Sequence, residues 1–152
     1  MSMEDGAAAG DGGPQAPLVV VHEDAHVVAL DKPAGLLCVP GRGAGLVRNL
    51  WSLALPRWPT LRIVHRLDQA TSGLVLFALD ADTHRTLSAA FERRAVDKRY
   101  EALVRGAPDA ETGSIDLPLA ADWPNRPRQQ VDCERGKPSL THWRVLARGA
   151  GD

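Results

Sequence analysis

The chain has 152 residues, 44% of them hydrophobic, and a formal net charge of −1. That length fits one domain or part of a larger one. No run approaches the roughly 18 consecutive apolar residues of a membrane span, so we expect no membrane association. The two cysteines, Cys38 and Cys133, form no C-x-x-C pair, which argues against a zinc knuckle or a disulfide framework. We therefore expect two reduced thiols in a cytoplasmic protein.

The charges are distributed unevenly along the chain. Residues 1–31 contain six acidic residues and no Lys or Arg, whereas the remaining 121 residues carry 18 basic against 13 acidic ones. Fifteen of the basic residues are Arg, the side chain best suited to bidentate phosphate contacts. This distribution is compatible with a nucleic-acid partner, although the Arg content can equally reflect the base composition of a genome. Residues 1–18, rich in Gly, Ala and Pro, predict a disordered N-terminal segment.

The first half of the chain predicts a hairpin, a helix and a strand. Two β-type runs, residues 19–21 and 27–30, flank a polar segment, a spacing that suits a hairpin. Apolar residues recur at helical spacing over residues 46–54, and Pro56 ends that helix. Residues 74–78 are apolar and predict a strand.

The second half continues with a capped helix. Asp80 or Asp82 can cap a helix that runs to Arg94. Its buried side is formed by the apolar residues Leu87, Ala90 and Phe91. Apolar positions then alternate over residues 99–105, which predicts a half-exposed strand.

Residues 122–127 predict an irregular loop, and residues 141–146 predict the last strand. Helices and strands mix without regular βαβ alternation. This favours an α+β fold with a mixed, largely antiparallel sheet flanked by helices and loops.

Residues 22–26 have the sequence H-E-D-A-H, which matches the zinc-protease pattern. That chemistry needs both histidines on one face of a helix, with the glutamate positioned to activate water. Here the motif lies between two β-type runs, where residues four apart do not converge on a metal as they do along a helix. We expect no metal site, and a zinc hydrolase that uses His22 and His26 is a remote alternative.

The most informative segment is residues 65–73, H-R-L-D-Q-A-T-S-G, with an apolar run directly after it. It resembles the signature loop of the RluA family of pseudouridine synthases, H-R-L-D-x-x-T-S-G. This resemblance implies that Asp68 is the catalytic aspartate. In isolation, Asp68 would instead be a turn residue that bonds the backbone amides near Thr71 and Ser72.

Three further blocks follow the pattern of the same family. Residues 19–35 resemble its opening hairpin, which ends in K-P-x-G. Residues 91–106 contain a K-x-Y motif, and residues 136–141 resemble a G-K-x-x-x-T entry to a strand. Together the blocks cover nearly all of residues 19–146. The resemblance implies that residues 19–152 are the N-terminal portion of a pseudouridine synthase catalytic domain.

The family isomerises uridine to pseudouridine in RNA. The N1–C1′ glycosidic bond breaks, the uracil rotates, and the base is rejoined through C5. No redox step or group donor is involved, so no cofactor is expected. A carboxylate can act as nucleophile, or as a base at the sugar, and both roles remain open for Asp68. The target uridine must also be flipped out of its RNA, at a cost of a few kcal/mol or so.

The resemblance implies roles for further residues. Arg66 matches the family arginine that inserts into the RNA at the vacated position, where a guanidinium can stack and still pair with phosphate. Tyr100 matches the tyrosine that lines the base pocket, where stacking is worth roughly 1–3 kcal/mol; otherwise it is an ordinary half-buried strand tyrosine. Candidates for RNA backbone contacts, or else solvated charges, are Lys98, Arg126 and Arg128.

Residues 122–129, 136–138 and 39–42 also resemble the branch of this family that modifies both a 23S rRNA hairpin and a tRNA anticodon stem-loop. We expect an RNA partner and no obligate protein partner. The family continues beyond the strand at residues 141–146 with a G-R-x-H-Q-L-R-x-H segment, whose arginine pairs with the catalytic aspartate. That segment is absent here. We therefore expect a C-terminally truncated chain in which Asp68 lacks its counter-charge, and the alternative to an enzyme is a non-catalytic RNA-binding remnant.

Overall fold

The computed structural model describes residues 17–41, 48–125 and 128–149. The chain divides into two units, Met1–Lys98 and Arg99–Asp152. The first unit contains β1 (Val19–Glu23), β2 (Val27–Lys32), α1 (Leu50–Ala54), β3 (Arg62–Ile63), β4 (Gly73–Ala78) and α2 (Ala81–Glu92). The second contains β5 (Thr112–Asp116), β6 (Leu119–Ala121), β7 (Gln129–Val131) and β8 (Leu140–Arg144). Within the described residues, no helix is long and apolar enough to cross a membrane.

The first unit is built on a four-stranded antiparallel sheet in the order β1-β2-β4-β3. The predicted hairpin is confirmed as β1 and β2, and Asp24 forms its turn. The carboxylate of Asp24 accepts hydrogen bonds from the backbone amides of His26 and Val27, both at 2.7 Å. These two bonds hold the pKa of Asp24 at about 2, so the turn residue is ionised at neutral pH.

The hydrophobic core lies on one face of this sheet. Side chains alternate across a strand, and the residues that β2 and β4 direct to this face are fully buried: Val28, Leu30, Val75 and Phe77. Buried residues of α1 and the segment after it complete the core: Leu50, Ala54, Trp58 and Leu61. The signature loop leaves this core between β3 and β4.

Both helices of the first unit begin with side-chain caps. Asn49 accepts a hydrogen bond from the Ser52 amide at 2.9 Å. The helix expected over residues 46–54 is therefore present from Leu50, while residues 46 and 47 lie outside the described part. Asp80 caps α2 through the amides of Asp82 and Thr83, so the predicted cap and helix are confirmed. Leu87, Ala90 and Phe91 are half-buried there.

The second unit consists of two antiparallel strand pairs, β5 with β8 and β6 with β7. The predicted final strand is confirmed as β8, whereas β5, β6 and β7 were not predicted. No described side chain of this unit is fully buried, because two-stranded pairs have too few layers to enclose a core. Of the irregular loop predicted over residues 122–127, residues 122–125 follow β6 and form no strand or helix, and residues 126 and 127 lie outside the described part.

The strand predicted over residues 99–105 is wrong. The structure assigns no strand to this segment, and Leu103 is fully exposed there. An alternating pattern stabilises a strand only where a neighbouring strand accepts its hydrogen bonds and covers one face. No described strand pairs with this segment.

Candidate active site

The signature loop places Arg66 and Asp68 on the surface of the first unit. Leu67 between them is only 8% exposed and belongs to the hydrophobic core, whereas Arg66 and Asp68 are both exposed. Burial of the leucine therefore anchors the loop between its two charged neighbours, and both predicted functional side chains are open to solvent.

A tight turn follows the aspartate. The amide of Thr71 donates to the backbone carbonyl of Asp68 at 3.1 Å, so the main chain of Asp68 closes the turn. Its carboxylate accepts no hydrogen bond from the residues that the structure describes. The interpretation of Asp68 as a residue whose side chain holds the turn is therefore wrong, and the carboxylate is available to a ligand.

Lys32 ties this loop to the turn that follows β2. Its side chain is fully buried, and Nζ donates to the carbonyl oxygens of Pro33 at 2.9 Å, Leu36 at 2.8 Å and Gln69 at 3.2 Å. The three donors of an ammonium group thus each have a backbone acceptor. Because Gln69 follows Asp68 directly, Lys32 holds the loop beside the candidate catalytic residue.

Two further hydrogen bonds join the same turn and loop. The Gly35 amide donates to the Gln69 carbonyl at 2.8 Å, and the Gln69 side-chain amide donates back to the Gly35 carbonyl at 3.0 Å. Gly35 has a φ of +86°, a left-handed conformation that favours glycine. The K-P-x-G sequence is therefore a support for the loop: the lysine supplies the donors and the glycine supplies the turn.

The K-P-x-G motif was expected to end the hairpin, and no role was predicted for Lys32. The sequence did contain a signal that Lys32 is buried. Val28, Leu30 and Lys32 lie on the same face of β2, and the first two are apolar core residues. Burial is the largest influence on Lys32 and lowers its pKa, while smaller electrostatic interactions with Cys38 and Asp68 oppose that shift. The three donors of the Lys32 ammonium go to backbone carbonyls, so the expectation that Asp68 lacks its counter-charge stays a prediction.

Cys38 is a buried free thiol close to Lys32 and Arg66. Burial raises its pKa, against the opposing effects of the Leu67 amide and of the positive charges of Lys32 and Arg66. A thiol with a raised pKa is protonated and weakly nucleophilic at neutral pH. Of Cys38 and Asp68, Asp68 therefore remains the candidate nucleophile or base.

His65 and Lys98 flank the other side of the loop. The imidazole of His65 stacks on Phe91 of α2, with centroids 4.4 Å apart and planes 14° from parallel. The ammonium of Lys98 lies 5.9 Å from the centroid of the same phenyl ring. The structure therefore places Lys98 near the start of the signature loop, on an exposed part of the first unit.

The remaining predicted residues belong to the second unit. Tyr100 is 64% exposed and lies in the segment that forms no strand, so its interpretation as a half-buried strand tyrosine is wrong. Arg128 is exposed, and its amide donates to the Asn125 carbonyl at 3.1 Å. Arg126 lies outside the described residues.

The H-E-x-x-H residues do not converge. They occupy the β1–β2 hairpin, where His22 contacts Asp24 at 3.0 Å and His26 contacts Asp80 at 3.0 Å. Glu23 accepts hydrogen bonds from Arg57 and Trp58. Among the described residues, no group of three or more potential ligands could hold a metal ion. The hairpin geometry gives the zinc alternative no support.

Comparison with known proteins shows the family to which this fold and signature loop belong. The RNA pseudouridylate synthase family model matches residues 26–152. Dual-specificity RNA pseudouridine synthase RluA of Vibrio vulnificus is 45% identical over 129 residues, which are 85% of this chain and 52% of that protein. RluA of Escherichia coli K12 is 42% identical over 134 residues, 88% of this chain and 61% of that protein. This chain belongs to the RNA pseudouridylate synthase family and spans about half to three fifths of these relatives.

Two solved structures share the fold. Human RNA Pseudouridylate Synthase Domain Containing 4 has a TM-score of 0.67 at 22% identity, covering 86% of this chain and 54% of that one. Human RNA Pseudouridylate Synthase Domain Containing 1 has a TM-score of 0.65 at 23% identity, covering 92% and 54%. The predicted α+β fold is confirmed.

Proposed function

We propose that this chain isomerises uridine to pseudouridine in structured RNA, with Asp68 as the catalytic carboxylate. The observation that carries this proposal is the position of Asp68, whose exposed carboxylate lies on a loop that Leu67 and Lys32 anchor from below. Membership of the pseudouridylate synthase family supplies the reaction class. A carboxylate on a rigid support meets the need for a group held in position before the substrate arrives.

The reaction moves a bond and a proton and needs no electron donor. The N1–C1′ bond breaks, the uracil turns, and C5 bonds to C1′. The hydrogen on C5 leaves as a proton, and N1 finally carries a proton in its place. Asp68 either bonds the sugar transiently or takes a proton from it. Both roles require the carboxylate to reach the sugar of a nucleotide removed from its stack.

Arg66 and Tyr100 complete the proposed substrate contacts. Arg66 is exposed, as Asp68 is, and a guanidinium there would enter the space that the flipped base leaves while Asp68 meets the sugar. Tyr100 would stack on the extruded base. Lys98, Arg126 and Arg128 would contact phosphates. The proposed substrates are a 23S rRNA hairpin and a tRNA anticodon stem-loop in the cytoplasm, from the resemblance of residues 122–129, 136–138 and 39–42 to the branch that modifies both. The names of the bacterial relatives, which include dual specificity, agree with two substrates.

Tritium release from RNA labelled at uridine C5 tests the proposal, because forming the C5–C1′ bond expels that hydrogen. We expect release from the wild type and from Asp109→Asn, an exposed control, and none from Asp68→Asn, which should still bind RNA. Turnover retained by Asp68→Asn would exclude Asp68 as the catalytic group. Binding without release in the wild type would favour the non-catalytic RNA-binding remnant.

A further inference from the structure

We propose that neutral His65 is a positioning residue for Asp68. Its ring accepts a hydrogen bond from the Leu76 amide and stacks on Phe91, and these two contacts fix the position at which the signature loop begins. This inference rests on the proposed function and names a residue that carries no role in it so far. Three features of the described structure support this role. These are the end of the β3–β4 ladder, the acceptor state of the imidazole, and the anchors on either side of Asp68.

The pairing between β3 and β4 ends at Phe77, and the imidazole of His65 accepts the hydrogen bond from the preceding residue of β4, Leu76. Along one side, β4 pairs with β2 over its whole length, but along the other side β3 reaches only Phe77 and Ala78. The next pair in that register would join Val64 to Leu76. Instead, the Leu76 amide donates to Nε2 of His65 at 3.0 Å. The ring thus replaces a backbone carbonyl as the partner of a partly buried amide, which would otherwise remain unpaired.

An imidazole can accept this bond only in its neutral form. Nε2 must hold a lone pair, so the ring proton lies on Nδ1, and an imidazolium would present a donor to the amide. Burial of the ring is the main influence that lowers the pKa of His65, and the positive charge of Lys98 lowers it further. The environment therefore favours the one protonation state that completes the ladder.

The elements packed around the ring carry charged groups of both signs, and Lys98 is the one with a resolved effect on the ring. β4 carries no charged residue between Gly73 and Ala78. The titratable side chains of α2 are Asp82, His84, Arg85 and Glu92, followed by the capping Arg93. Of these, His84 bonds the Ile63 carbonyl and Arg85 pairs with Asp82. In the loop itself, the exposed neighbour Arg66 carries a positive charge, and Asp68 lies three residues away.

His65 is one of several anchors that enclose the functional part of the loop. His65 fixes the N-terminal side, Leu67 fills the core between the two exposed side chains, and Lys32 holds Gln69 on the C-terminal side. Arg66 and Asp68 therefore lie between fixed points. A misplacement of a reacting group by about 1 Å can cost about 100-fold in rate, so loss of the first anchor is expected to reduce turnover with little effect on RNA affinity.

Two variants separate the roles of the ring. His65→Phe keeps an aromatic ring for Phe91 but removes the acceptor. His65→Gln keeps an amide oxygen close to the position of Nε2 but removes the titrating group. We expect His65→Phe to lower kcat about 10- to 100-fold at unchanged KM, and His65→Gln to recover most of that loss. The rate of His65→Gln should also stay level as the pH falls below about 6.5, where the wild type declines as the ring gains its proton.

Nitrogen NMR of the wild type tests the positioning role without any turnover. We expect an unprotonated Nε2, a His65 titration midpoint below the ordinary value of about 6.5, and amide shifts of Leu76 and Asp68 that follow the same midpoint. In His65→Phe, the Leu76 amide should exchange with solvent faster than in the wild type. A protonated Nε2 at neutral pH, or an Asp68 amide indifferent to the His65 titration, would overturn the proposal. If the wild type shows these signals but releases no tritium, the proposed function fails while the positioning of Asp68 stands.

Discussion

Replacement of Lys32 by Met tests the support beneath the candidate catalytic loop. Methionine has similar length and can fill the same buried space, but it offers no donor. The change removes the hydrogen bonds from Nζ to the carbonyls of Pro33, Leu36 and Gln69. The Gln69 carbonyl keeps the Gly35 amide as a partner, so two carbonyl groups lose the lysine without such a replacement.

The magnitude follows from those two carbonyls. Pro33 is exposed and Leu36 is half-buried, so water can replace the ammonium at the Pro33 carbonyl and the main loss is at the Leu36 carbonyl. A buried polar group left without a partner costs about 1–3 kcal/mol, and removing the desolvation cost of a buried ammonium group offsets part of this loss. We expect a net loss of about 1–2 kcal/mol in the free energy of unfolding, against the roughly 5–15 kcal/mol that stabilises an ordinary domain.

Urea unfolding followed by tryptophan fluorescence measures this loss, since the core contains the buried Trp58. Lys98→Met is the matched control, because Lys98 is exposed, and it should change stability by less than about 0.5 kcal/mol. Hydrogen exchange at the Gly35 amide should accelerate in Lys32→Met, as the turn separates from the loop. A loss no larger than that of the control, with the Gly35 amide still protected, would refute the assignment of Lys32 as the support of the loop.

Two further predictions concern other parts of the chain. Gly136→Ala should destabilise the second unit by about 1–3 kcal/mol, because a Cβ there would lie 2.3 Å from the backbone oxygen of Asp132. Gly149→Ala is the control in thermal unfolding, because a Cβ at Gly149 would meet nothing within 4 Å. Equal melting temperatures of the two variants would contradict the predicted clash. The hydrogen bond to Asp80 is the main cause that raises the pKa of His26, so its stabilising contribution should be complete below about pH 6.5 and be lost as pH rises through the raised value. Stability curves of the wild type and His26→Gln should therefore converge at alkaline pH, and a constant difference between them would count against this linkage.

Features that depend on neighbours in sequence could be predicted from the sequence. The β1–β2 hairpin was predicted correctly because two β-type runs flank a short polar segment. The helix α2 was predicted correctly because Asp80 bonds amides two and three residues away, and such a cap leaves a local pattern. The family could be inferred from residues 65–73, since their residue types and spacing are specific.

Features that depend on a distant partner were settled by the tertiary structure. Apolar and polar residues alternate over residues 99–105 as they do in a strand, yet the segment forms no strand. A strand also needs a neighbouring strand to pair with, and an alternating sequence does not supply one. The role of Lys32 was missed because one of its acceptors, Gln69, lies 37 residues away. His65 completes a ladder that begins in β4, which no local pattern indicates. The sequence by itself determined which residues could perform the chemistry, and the tertiary structure decided what holds them in place, because buried polar groups must find partners wherever the chain brings them.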